Sequence, residues 1–118
     1  MTPDWTTMKL NHSQTLMTKA QLDSLPALGS QDGKGLANQL MRIHFFAGGY
    51  DAYACEFDKE DGLFFGFVQI FEGCGEFGEF SAEEICETSM GMRFPIEREI
   101  NFTPTMAGQI PLIASCIR

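Results

Sequence analysis

The chain has 118 residues, 44% of them hydrophobic and 12% aromatic, with a formal charge of −8 and a pI near 4.5. Such a composition is too apolar for a disordered chain and fits one domain with a modest core. It is too acidic for nonspecific attachment to nucleic acid or anionic membrane, both of which need clustered Lys and Arg.

Residues 1–16 mix Thr, Asn, Gln and Ser with isolated Met and Leu, and read as a flexible N-terminal extension. Thr18 with Gln21 forms a capping box, so a helix is expected through Ala20, Leu22 and Leu25, stopping near Pro26. Residues 29–35 (GSQDGKG) read as a loop with little structure of its own. From Leu40 apolar residues alternate with others up to Ala47, the mark of a strand, and Gly48-Gly49 is a turn signal. The next strand, residues 50–58, would put Tyr53, Cys55 and Phe57 on one face and Ala54, Glu56 and Asp58 on the other. Lys59 to Gly62 closes a hairpin.

Residues 63–71 (LFFGFVQIF) carry large side chains on both faces, as a central strand covered on both sides should, with Gly66 marking a bulge or a close backbone approach. Residues 76–80 read as a short strand. Ser81 with Glu84 opens a short helix to about Ser89. Residues 94–102 (FPIEREINF) alternate as a strand with Phe94, Ile96, Ile100 and Phe102 on one face. The tail from 105 to 118 is mildly apolar and is expected to add an edge strand or to dock. Residues 17–104 are thus one α+β domain, an antiparallel sheet of about four strands with one N-terminal helix and one short helix before the last strand.

Thirteen of the sixteen carboxylates fall between residues 51 and 99, opposed there only by Lys59, Arg93 and Arg98. The same stretch holds eight of the eleven phenylalanines. Strands that bury Phe and show acid would form a negatively charged plate, a surface for a positive partner. The expected contacts are Glu56, Asp58, Glu60, Asp61, Glu76, Glu79, Glu97 and Glu99. Arg98 shares a face with Ile96 and Ile100, where a bare cation is costly. It is expected to form a structural ion pair, with Glu56 or Glu72 as partner, or to reach the sheet edge.

No catalytic motif is present. Acidic alternation is the ordinary solvent face of an antiparallel sheet, so paired carboxylates such as Glu97 and Glu99 do not by themselves make an acid–base pair. His44 has no Cys, Asp or Glu at ligand spacing. Cys55, Cys74, Cys86 and Cys116 lack the paired spacing of a zinc site and read as free thiols. Neither metal nor cofactor is expected. No stretch approaches the roughly 20 apolar residues that cross a bilayer, and the N-terminus lacks a secretory pattern, which points to the cytoplasm and no membrane.

The ordered series EFD–x3–GLFFGFV, GEFGEFSAEEI and FPIEREINF, preceded by LMTKAQLDSLPAL, resembles a family of small proteins catalogued as domain of unknown function 2958. The resemblance covers residues 16 to 104. It implies an association with phages, plasmids and conjugative elements, and brings no catalytic residue. The reading is then a small, non-enzymatic acidic protein of a mobile genetic element in a bacterial host. It would inhibit a host nucleic-acid-handling defence complex, as anti-CRISPR or anti-restriction proteins do, by binding a basic protein surface without contacting nucleic acid. Two alternatives are a homodimeric accessory module, paired through an edge strand or the tail, and a small carboxylate-dependent enzyme.

Overall fold

The computed structural model describes residues 3–70, 73 and 75–117. The first helix, α1 (Lys19–Ser24), begins where its capping box places it. Thr18 Oγ1 accepts from the Gln21 amide at 3.1 Å, and Gln21 Oε1 accepts from the Thr18 amide at 2.9 Å. It ends at Leu25, whose extended backbone is the conformation that Pro26 requires of the residue before it.

The chain then forms β1 (Leu40–Met41), β2 (Ile43–Ala47), β3 (Tyr50–Asp58), β4 (Leu63–Gln69) and β5 (Glu76–Ser81). After β5 come α2 (Ala82–Met90), β6 (Glu97–Arg98), β7 (Thr105–Met106) and a single-turn α3 (Pro111–Ala114). A five-stranded antiparallel sheet runs β5-β4-β3-β2-β6, and β1 pairs with β7 in a separate two-stranded ribbon. The architecture is α+β.

The centre of the sheet is the β3–β4 pair, and its register slips once. Ala54 faces Gly66 but Glu56 faces Phe65, so Cys55 is an extra residue on β3. Gly66 sits at the slip because a Cβ there would lie 1.7 Å from the Tyr53 carbonyl oxygen. The bulge reverses which face later residues use. Ahead of it Ala52 and Ala54 point to one core while Tyr53 points to the other; beyond it Phe57 joins the first core, and Glu56 turns to the second face beside Phe65.

Both faces of the sheet are covered. On one, Phe45, Phe57 and Phe64 pack with Trp5, Leu10, Leu16 and Met17 and with Ile85 and Cys86 of α2. On the other, Tyr53, Cys55 and Phe67 pack with Met41 and with Ala107, Ile110 and Ile113 of the C-terminal segment. The apolar character of β4 on both sides is explained by these two covers.

Three expectations are corrected. The N-terminal extension is packed, not loose. Trp5, Leu10 and Leu16 are buried, each worth about 2 kcal/mol of apolar transfer, and the Trp5 indole donates to the Lys59 carbonyl at 3.0 Å. The 29–35 loop is anchored, as described below. The last strand shrinks to Glu97–Arg98, because side chains take the backbone groups that a longer ladder would use. Ser89 Oγ accepts from the Ile96 amide, Asn11 Nδ2 donates to the Ile96 carbonyl, and the Gln14 amide pairs with both backbone groups of Arg98. Phe94 and Ile100, expected in the core, are 74% and 77% exposed. The tail, expected to add an edge strand or to dock loosely, forms β7, paired with β1 in the separate ribbon and not at an edge of the main sheet, and buries Ile110 and Ile113 in the second core.

Gly66 and Gly78 face each other across β4 and β5, yet only Gly66 meets a neighbouring backbone. Gly66→Ala is expected to cost about 3 kcal/mol or more in urea unfolding, and Gly78→Ala to stay within about 0.5 kcal/mol.

Candidate functional site

Fifteen consecutive residues, from Glu76 to Met90, carry five glutamates and no Lys or Arg. They form β5, the outermost strand on its side of the sheet, and the helix that follows it. Ser81 ends the strand and caps the helix, its Oγ accepting from the Glu84 amide at 3.2 Å. Glu83 and Glu84 lie in the first turn of α2, where the unpaired amides and the helix dipole favour negative charge. Glu76, Glu79, Glu83, Glu84 and Glu87 are all exposed. The β3–β4 turn joins this margin, because the Ala82 amide donates to the Gly62 carbonyl at 2.8 Å, which sets Glu60 and Asp61 beside the start of α2.

Among the described residues, ion pairs join only Lys19 with Asp23 and His44 with Asp51 and Glu99. None of the margin's carboxylates takes part. Their charge is therefore directed at solvent, and its reach at physiological salt is about 8 Å.

The eight expected contact residues do not share one plate. Glu60, Asp61, Glu76 and Glu79 belong to the margin just described. Glu97 is exposed but lies on β6, at the opposite edge of the sheet. Asp58 is half-buried and accepts from the amides of Glu60 and Asp61, shaping its own turn. Glu99 is engaged with His44.

Glu56 is corrected outright. It is 3% exposed, and its two oxygens accept from the amides of Gly29 and Gln31, each at 2.9 Å. The bulge at Cys55 turns it to the second face of the sheet, where the 29–35 loop covers it and is anchored by it. Gln31 then donates to the Cys55 carbonyl and Gln39 to the Gln31 carbonyl, extending the anchorage.

Arg98 is half-buried and donates from Nε to the Thr15 carbonyl at 3.2 Å. Burial alone pulls its guanidinium below the usual arginine range. No carboxylate among the described residues lies within 4 Å of it; Glu56 is committed to the loop, and Glu72 lies outside the described residues. The expected ion pair is replaced by a backbone contact.

His44 forms a cluster that spacing along the chain did not reveal. Its Nε2 lies 2.8 Å from Asp51 Oδ1 and its Nδ1 2.5 Å from Glu99 Oε1. The ring stacks on Tyr53, its cross-strand partner, with centroids 4.1 Å apart. Both ring nitrogens are thus occupied by carboxylate oxygens. His44 cross-links the β2–β3 hairpin to the segment after β6, a bond backed by the Glu99 amide donating to the His44 carbonyl at 2.8 Å. A register count outward from Gly48-Gly49 would have placed Asp51 near His44; nothing local pointed to Glu99.

A family model described as protein of unknown function (DUF2958) matches residues 16–110. The chain belongs to this family. No curated protein and no solved structure matches it. The DUF2958 segment contains the whole five-stranded sheet, α2 and the His44 cluster, whereas Trp5 and α3 lie outside it. No helix among the described residues is long and apolar enough to cross a membrane, and no three His, Cys, Asp or Glu side chains among them are placed so that they could hold a metal ion.

The two buried thiols, Cys55 and Cys86, are poor nucleophiles. Burial, then the neighbouring Glu56, pushes Cys55 up to about 12; burial, then Glu87, pushes Cys86 up to about 11. Tyr50 and Tyr53 are likewise raised to about 12, by burial first and by Asp51 next. In each case folding favours the protonated form. The associated stability is complete below about pH 9 and is lost as pH rises through 11 to 12. Unfolding midpoints in urea should therefore hold between pH 7 and 9 and decline towards pH 12. Iodoacetamide at pH 8 should modify exposed Cys116 at least tenfold faster than Cys55 or Cys86. Glu56→Ala strands two interior amides and should cost about 2 to 4 kcal/mol in the same unfolding assay, with Glu97→Ala within about 0.5 kcal/mol.

Proposed function

We propose that this DUF2958 protein is a non-enzymatic binding protein whose β5–α2 margin seats on a basic protein surface. One observation carries the reading: five exposed glutamates in fifteen residues, with no base among them and no ion pair to any described residue. Carboxylates held on a strand edge and a capped helix keep their spacing, and can stand in for a run of phosphates. Long-range attraction would speed encounter with a cationic groove and make binding sensitive to salt. The partner class is a nucleic-acid-handling complex of the bacterial host, occupied and disabled in the manner of an anti-restriction or anti-CRISPR inhibitor carried by a mobile element. The work would be done in the cytoplasm.

The other two classes have less to stand on. A dimer built by the tail would need apolar surface that Ile110 and Ile113 spend inside the second core. A carboxylate enzyme would need a convergent acid pair, and Asp51 and Glu99 are both spent on His44.

The test is affinity capture from host extract at low and high salt, comparing the wild type with a variant carrying Glu76→Lys, Glu79→Lys, Glu83→Lys and Glu87→Lys. The wild type should retain a nucleic-acid-handling complex at low salt and release it at high salt. The variant should melt within a few degrees of the wild type and lose the complex. Equal retention by the variant would sink the proposal.

A further inference from the structure

An apolar cleft opens between α2 and the sheet, inside the acidic margin. Its volume is about 270 Å³, and it is lined by Tyr50, Val68, Ile70, Phe80, Ile85 and Ile96, with Thr88 and Glu84 of α2 at its side. Val68 and Phe80 come from adjacent strands on the face that α2 covers, and Ile85 is one of the α2 residues packed into the same core. The helix does not close over this corner. Ile70, just past the end of β4, stays 60% exposed at the side of the cleft. Among the described residues the Tyr50 hydroxyl has no hydrogen-bond partner, and its raised pKa keeps the proton on as a donor.

The surroundings of the cleft are charged with one sign. Glu84 forms part of its wall, Glu83 and Glu87 stand on the same helix, and Glu76 is the direct cross-strand partner of Val68. No Lys or Arg lines it. An apolar floor inside an acidic rim is complementary to one kind of surface: a large aliphatic or aromatic side chain with cations on its flanks. The volume is below that of sites for drug-sized ligands, about 300 Å³ and upward, and suits a single side chain. A second copy of this chain is disfavoured as occupant, because each copy carries −8 and would bring its own glutamates to the same rim.

We infer that the cleft between α2 and the sheet is the anchor pocket for a partner segment in which a Leu-sized side chain is flanked by Lys or Arg. The inference rests on the proposed function and deepens it, supplying the specificity that charge alone lacks. The apolar side chain would fill the space above Val68 and Phe80, the flanking cations would meet Glu76, Glu84 and Glu87, and the Tyr50 hydroxyl would donate to a partner carbonyl.

Two acetylated, amidated hexapeptides test it, GKLRKG and GKSRKG, which carry the same charge and differ only in the anchor. Binding is followed by chemical shifts of the labelled full-length protein, alone and as Thr88→Phe, which fills the cleft from an exposed helix position. The expected result is that GKLRKG binds at least tenfold more tightly than GKSRKG, with shifts at Val68, Ile70 and Thr88. Thr88→Phe should abolish that advantage and leave GKSRKG unchanged. The four-fold charge reversal should weaken both peptides. Equal affinity of the two peptides for the wild type, both lost on charge reversal, overturns the anchor pocket and leaves the acidic margin standing. Binding that ignores charge reversal overturns the functional reading as well, and so does the absence of binding by either peptide at millimolar concentration. Light scattering that finds a dimer dissociated by Thr88→Phe would assign the cleft to a second copy and also overturn the inference.

Discussion

The structure depends on a sheet whose interior strand β4 is apolar on both sides. Phe64 points into one core and Phe67 into the other, three residues apart on β4. Neither face can be left to water, so the fold needs two separate covers. The N-terminal segment with α2 supplies one, and β7 with the following turns and α3 supplies the other. This requirement explains why both ends of the chain are packed in a protein this small. It also decides where the charge goes. With both faces occupied, the exposed carboxylates of residues 51–99 lie at the edges of the sheet, in its turns and on the outer side of α2, while Glu56 is buried under the 29–35 loop. The acidic surface is a margin and not a plate.

Where Glu56 goes is set by one irregularity. Strict alternation along β3 would put Glu56 on the face of Ala52 and Ala54, inside the first core, where a carboxylate is costly. The extra residue at Cys55 shifts the parity, and Glu56 is turned against the 29–35 loop, whose amides it binds. The same slip leaves no room for a Cβ at Gly66. A glycine legible in the sequence as a bulge signal thus marks, on the partner strand, the slip that relocates a charge one residue from the bulge. The two facts were readable separately, but their connection needed the register.

Much of the fold was legible for a physical reason: its signals are local. Thr18 with Gln21 and Ser81 with Glu84 cap helices through contacts within one turn, and Gly49 and Gly62 close hairpins with the positive φ angles those turns need. What was hidden is long-range. Trp5, Leu10 and Leu16 are spaced at no regular period, because they pack from an irregular segment and not from a helix or strand. Residues 94–102 alternate convincingly, yet Asn11 and Gln14, from far along the chain, and Ser89, from the end of α2, meet their backbone groups with side chains. His44 reads as isolated because one of its partners, Glu99, lies fifty-five residues away. The candidate site was half visible: its charge could be counted, whereas its confinement to one edge could not.

The central claim, that negative potential is concentrated on the β5–α2 margin by the double cover of the sheet, can be measured without any partner. Amide-proton relaxation in the presence of a cationic and then an anionic nitroxide reports the local potential at each residue. The account predicts the largest excess of cationic over anionic enhancement at amides from Glu76 to Met90 and at Glu60 and Asp61, with a distinctly smaller excess around Glu97. An even excess over all exposed carboxylates, or a maximum at the β6 edge, would contradict it.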